Sequence, residues 1–147
     1  MRSAVIIKVG ERVALIERIR DGQTYYLFPG GTVETDESLE AAAVREAREE
    51  SGLEIRLGQL AAVVAFDGRL QYYFWATPVA GEFGSGIGEE LSSSSNSQRG
   101  SYRPIWLSIE QLALEDVRPK ALAVALSQRR LMPGDEVLHI QEEVRSN

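Results

Sequence analysis

Three glutamates, Glu46, Glu49 and Glu50, fall at spacing i, i+3, i+4 within the run Leu39–Ser51, which is built mostly of Ala, Glu, Arg and Leu. At about 100° per residue a helix gathers the three into an arc of roughly 100°. Leu39, Ala42 and Ala43 continue the same side one or two turns earlier, so an apolar stripe turns into an acidic one. Carboxylates at these spacings repel each other by roughly 0.2–0.5 kcal/mol per pair, and they crowd the negative end of the helix dipole. Charged helix faces are ordinarily just solvated. Here the repulsion calls for a positive partner inside the arc. Arg45 can pair with Glu49, and Arg48 can offset some of the field, but neither sits at the centre of the acids. A hard divalent cation would, because Mg²⁺ takes oxygen ligands and keeps waters and substrate phosphates as the rest of its shell.

The acids need a helix with defined ends. Ser38 is the expected N-cap, and Gly52 is placed to take the left-handed position just past the last turn. In front of the helix stands Pro29-Gly30-Gly31, whose glycines permit a backbone course that side chains would block.

The whole pattern is more specific than the acids alone. Gly31, five residues, Glu37, seven residues, Arg45-Glu46, aliphatic Ala47, one residue, Glu49-Glu50, one residue, Gly52 and aliphatic Leu53 match without departure the box that defines the Nudix hydrolases. The resemblance covers residues 31–53 only. It implies a loop-helix-loop that holds Mg²⁺, with Mn²⁺ as the alternative ion, against the pyrophosphate of a nucleoside diphosphate linked to another group, and hydrolysis of that pyrophosphate by water. Transferred position by position, it makes Glu49 and Glu50 metal ligands and Glu46 either a third ligand or the group that deprotonates or orients the water. It also makes the Gly30 carbonyl a candidate ligand, and makes Gly31, Glu37, Arg45 and Gly52 supports of the loop and the acids. Members of the family differ over which carboxylate is the base, and some use one outside the box. Glu89 and Glu90, in a glycine-rich stretch, are the candidates for that outside acid, Glu90 as a catalytic group and Glu89 at the substrate; either one taken alone also reads as a solvated loop residue.

Composition sets bounds on the rest. A chain of 147 residues fits one domain, residues 1–147, with a respectable core. A formal net charge of −6 argues against a dedicated grip on nucleic-acid backbones, which takes clustered Lys and Arg. With no cysteine, neither disulfides nor thiol chemistry are available. The N-terminal residues lack the long apolar run and cleavage pattern of a signal peptide, and no run approaches the roughly 18 apolar residues that cross a bilayer. The expectation is a soluble, cytoplasmic protein with a small-molecule nucleotide as its partner, no membrane or nucleic-acid ligand, and a homodimer left open.

Along the chain, residues 4–9 and 12–18 read as a hairpin turned at Gly10-Glu11, with Asp21-Gly22 the next turn and residues 25–28 a short strand. Residues 53–66 form a long strand interrupted at Gly58, and Asp67-Gly68 returns it into the aromatic strand 70–77. Residues 81–101, with Gly84, Gly86, Gly88 and the serines 92–95, are too long and too poor in apolar groups for an ordinary connection. Residues 102–107 read as a strand with Pro104 at an edge, 109–114 as a helical turn and 120–130 as a helix opened by Pro119. The tail, 136–147, alternates weakly and is compatible with a terminal strand, a partner segment or a frayed end. The periodicities make an α/β protein. The resemblance implies an α/β/α sandwich, with a mixed, mainly antiparallel sheet between the box helix and the 120–130 helix.

Phe28, Tyr72, Tyr73 and Trp75 could stack on a base, Phe28 and Tyr73 being the named candidates, although strand aromatics are more often core. His139, the only histidine, is expected at the surface, and the serine run has no histidine and acid to make a nucleophile. Within the family, ADP-ribose enzymes are marked by a proline some fifteen residues after the box. This chain has none before Pro78, which counts against that substrate and leaves a nucleoside triphosphate or a related nucleotide derivative. The alternative class is a non-catalytic Nudix-fold nucleotide-binding module, which is expected to have lost box acids; here all are present.

Overall fold

The computed structural model describes residues 1–84 and 101–142. The expectations for Glu89, Glu90 and serines 92–95, and for the last five residues of the tail, lie outside the described residues.

The strand β1, Arg2–Val9, is the centre of the molecule. Its residues Ala4 to Ile7 are all fully buried, and alternation sends them to opposite faces: Ala4 and Ile6 into one apolar cluster, Val5 and Ile7 into the other. The hairpin expected with β2, Arg12–Arg20, forms but is short, pairing only Lys8 with Val13 and Val9 with Arg12. Most of β1 is instead occupied by two partners, antiparallel β4 (Gly30–Thr32) and parallel β6 (Arg69–Gly81). Freed from β1, β2 continues onto β3, Gln23–Leu27, and from Arg12 to Ile19 onto β7, Ser101–Ser108.

The second long hairpin joins β5, Leu53–Phe66, to β6 through Asp67-Gly68, both at positive φ. Its register slips between Leu57 and Leu60, the region of the interrupting Gly58. β8, Val117–Arg118, adds to β3, and β9, Leu138–Glu142, adds parallel to β5, so the first part of the tail is a strand. Five of the eight pairings are antiparallel and three parallel, which makes the sheet mixed and mainly antiparallel. Pro104 lies in β7, which among the described residues pairs only with β2, so its missing N–H falls on an edge strand.

The helix α1, Leu39–Ser51, packs Ala43 and Ala47 on the face carrying Val5, Ile7, Ala14, Phe74 and Ala76. Its ends are those expected: the Ser38 hydroxyl accepts from the Ala41 N–H at 3.0 Å, and Gly52 stands at φ 85° with its N–H on the Arg48 carbonyl. The other face, with Ala4, Ile6, Leu15, Tyr73 and Trp75, is covered by a 3₁₀ turn, Glu110–Ala113, and by α2, Lys120–Ser127. α2 stops three residues before the expected Arg130. Arg129 takes φ 58°, its N–H returns to Leu126 and that of Arg130 reaches back to Ala125, so the helix closes locally with a left-handed residue, and the Arg129 guanidinium pairs with Glu11 at the surface. Two helices on opposite faces of one sheet make the expected α/β/α layering.

Candidate active site

The acidic arc of α1 meets the turn between β3 and β4. Antiparallel pairing of Ala4 with Gly30 and Ser3 with Gly31 presses this glycine turn onto β1, and a Cβ on Gly30 would lie 2.4 Å from that of Ala4. A Cβ on Gly31 would come within 2.5 Å of the Glu46 carboxyl carbon. Gly31 therefore makes room for the Glu46 carboxylate, which accounts for a glycine where φ does not demand one.

Arg45 is the hub of the box. Its Nε donates to Glu37 Oε2 at 2.7 Å and its Nη2 to Glu37 Oε1 at 3.0 Å, the two-pronged geometry that favours arginine over lysine. Nη1 reaches Glu46 Oε1 at 2.8 Å and Glu49 Oε2 at 3.2 Å, and Nη2 also touches the Thr32 carbonyl. The guanidinium holds the Glu37 carboxyl down at about 2, helped by the Glu34 N–H, and is itself raised by its acidic partners. Glu37 and Arg45 are thus joined as expected, and they tie the loop to the helix.

The three acids differ in surroundings. Glu49 is the most open, with 39% of its side chain exposed against 15% for Glu46. Burial pushes the Glu46 carboxyl up, opposed by Arg45. Glu50 is pushed up to about 7, first by burial, against hydrogen bonds from Tyr102 and Gly30 and the charge of Arg2. Glu50 Oε1 accepts the Gly30 N–H at 2.7 Å, and Oε2 accepts the Tyr102 hydroxyl. The contact Gly30 makes with the acids is through its amide.

Among the described residues no three acidic or imidazole side chains converge to hold an ion, since Arg45 takes Glu46 and Glu49 while Gly30 and Tyr102 take Glu50. The donor chemistry nonetheless fits a hard cation. Three carboxylates share one helix face beside the Gly30-Gly31 turn, an all-oxygen donor set of the kind such ions take.

A cavity of about 350 Å³ opens on the α2 side of the sheet, lined among others by Arg2, Gln71, Tyr73, Asp116, Arg118 and Lys120. Arg2 connects it to the acids: its guanidinium donates to the Phe28 carbonyl at 3.0 Å, two residues before Gly30, and its charge favours the ionised forms of Glu46 and Glu50. Asp116 and Arg118 pair at 2.9 Å, Arg118 lies 4.0 Å over the Tyr25 ring, and Lys120 donates to the Ala113 carbonyl.

The expected stacking residues require correction. Phe28 is 1% exposed and meets Tyr73 edge-on at 5.7 Å inside the core, so its faces are closed to a base. Strand alternation at the end of β3 turns it inward. Tyr73 does border the cavity, but it is only 2% exposed, with its hydroxyl donating to Gln71 Oε1 at 2.8 Å. His139 is exposed on β9, as expected. Arg2 and Tyr102 escaped the sequence reading. The only available signals were an arginine opening an apolar strand and an aromatic beside Pro104; neither says that β1 lies against β6, or that β7 brings a tyrosine to a glutamate 52 residues away.

A glycine turn and an arginine-bridged acidic helix face lie at one end of this sandwich, with Arg2 reaching from the turn to the cavity. The NUDIX domain model matches residues 1–127, and the chain belongs to that family as a Nudix hydrolase. The fold is similar to that of a NUDIX hydrolase from Nitrosomonas europaea (18% identity, 96% of this chain and 78% of that one, TM-score 0.67). It is also similar to an ADP-ribose pyrophosphatase from Streptococcus suis (15% identity, 94% and 96%, TM-score 0.68). A third likeness is to a structure from work on MutT of Aliivibrio salmonicida and Vibrio cholerae (24% identity, 87% and 96%, TM-score 0.60). Curated protein sequences give no match. Among the described residues no helix is long and apolar enough to cross a membrane.

Proposed function

We propose that the chain hydrolyses, with Mg²⁺ or Mn²⁺, the pyrophosphate bond of a nucleoside triphosphate or a related derivative in which a nucleoside diphosphate is linked to another group. The observation that carries this reading is the position of Arg2, which lines the cavity and also bonds the glycine turn that meets the acids. A nucleoside seated in the cavity would send its phosphates past a guanidinium toward Glu46, Glu49 and Glu50.

Those three acids are the proposed holders of the metal, with the Gly30 carbonyl as a further candidate. When bound, the ion supplies charge neutralisation of the phosphate oxygens and a more acidic water. The chain's own residues do the rest. Arg45, locked by Glu37, sets the directions of Glu46 and Glu49, and Glu46 serves as a ligand or as the group that orients and deprotonates water. Glu90, with Glu89 beside it, is the proposed acid outside the box, on the strength of the glycine-rich sequence around it.

The test is product release from nucleoside triphosphates, dinucleoside polyphosphates, nucleotide sugars and ADP-ribose, each with Mg²⁺, with Mn²⁺ and with chelator. Metal-dependent cleavage of one class is the expected result. Tight nucleotide binding with no cleavage across the panel would put the non-catalytic binding module in its place.

A further inference from the structure

Both oxygens of Glu50 carry a fixed protein donor. The Gly30 N–H comes from the turn in front of the helix, at 2.7 Å from Oε1, and the Tyr102 hydroxyl comes from β7 to Oε2. The two donors belong to elements far apart in sequence, and each is held by its own sheet pairing: Gly30 opposite Ala4, Tyr102 opposite Arg18. The Tyr102 ring is set as well, since the Arg18 guanidinium lies 4.9 Å from its centroid. A carboxylate has about four acceptor positions, so two remain for other partners, and the two donors define the plane in which they point.

We propose that Tyr102 is a positioning residue for metal binding: with the Gly30 amide it fixes the Glu50 carboxylate in the orientation from which its remaining lone pairs meet the ion. The inference rests on the proposed metal role of Glu50. It makes β7, on the far side of β2 from β1, part of the site, although β7 contributes no group of the box.

Removing a hydrogen-bond partner of a metal ligand typically costs 10- to 100-fold in metal affinity. Tyr102→Phe deletes the donor and keeps the ring and its contact with Arg18. The direct measurement is Mn²⁺ binding to protein without nucleotide, by the electron paramagnetic resonance signal of free Mn²⁺, with circular dichroism and thermal melting to check that the variant is folded. The expected result is a roughly tenfold weaker Mn²⁺ site. In turnover, kcat at limiting Mg²⁺ falls, recovers as Mg²⁺ is raised, and KM for the nucleotide is unchanged; a purely structural role would not give this split. Unchanged Mn²⁺ affinity overturns the proposal, and tighter binding overturns it too, because the phenol would then be competing with the ion. In the Glu50→Gln background, Tyr102→Phe should have no further effect on Mn²⁺ binding, and an undiminished effect there also overturns it. If the unaltered protein binds no Mn²⁺ and cleaves nothing, the metal-hydrolase reading fails with it; if the unaltered protein binds and cleaves while Tyr102→Phe matches it, only the role of Tyr102 fails.

Discussion

Glu50→Gln is expected to make the metal-free protein more stable and less active at once. Burial raises the Glu50 carboxyl from 4.5 to about 7. A raised acid pKa means that the folded chain binds the proton more tightly than the unfolded one, so stability falls as pH rises from about 4.5 and levels off above about 7. At 1.36 kcal/mol per pH unit, the full shift corresponds to about 3 kcal/mol of destabilisation at alkaline pH. Partial exposure of the side chain reduces this to about 1–2 kcal/mol. Glutamine can keep both contacts, its carbonyl accepting from Gly30 N–H and its amide donating to the Tyr102 oxygen once the hydroxyl turns. At about 2–4 °C per kcal/mol for a chain of this size, Tm should rise by about 2–8 °C at pH 8.5 in chelator, and the gain should shrink to a small remainder by about pH 4.5. Saturating Mg²⁺ should reverse the order, since an ion that binds only the unaltered site stabilises that protein alone. The assay is thermal melting of both proteins across pH 4.5 to 8.5, with chelator and with Mg²⁺, alongside turnover. A Glu50→Gln protein that melts lower at pH 8.5 in chelator, or a difference in Tm that does not change with pH, would refute the reasoning.

Three further outcomes follow from the same geometry. Gly31→Ala places a Cβ within 2.5 Å of the Glu46 carboxyl carbon, so kcat should drop roughly tenfold or more while Tm changes little, read by steady-state kinetics beside melting. Phe28→Ala should cost about 3–5 kcal/mol in urea unfolding and leave nucleotide KM unchanged in the folded protein, whereas a stacking residue would give the opposite split. Glu37, held near 2 by Arg45, contributes stability that is present above about 4.5 and lost as pH falls toward 2; Glu37→Gln should flatten the acid limb of unfolding over that window.

Fold and site were unequally legible. The box was readable because its geometry is local: helical spacing alone puts Glu46, Glu49 and Glu50 on one face, and the Ser38 and Gly52 caps act within a turn of their positions. The turns at Asp21-Gly22 and Asp67-Gly68 were legible for the same reason. The partners of β1 were not. Alternating burial makes a strand recognisable, yet it is equally satisfied by the neighbouring β2 and by the distant β4 and β6, which take most of it. The inward turn of Phe28 also depends on that distant pairing, since a period of two marks two faces without saying which one will be covered.

By itself, then, the sequence determined the family, the acidic face proposed to carry its chemistry and the helix that presents that face, because residue types and short-range spacing decide these. Only the tertiary structure decided that Tyr102 and Gly30 close on the two oxygens of Glu50, that Arg2 stands between cavity and acids, and that Phe28 belongs to the core. Each depends on strands that pair across tens of residues, where the free energy lies in burying both faces of one sheet and not in any local preference of the chain.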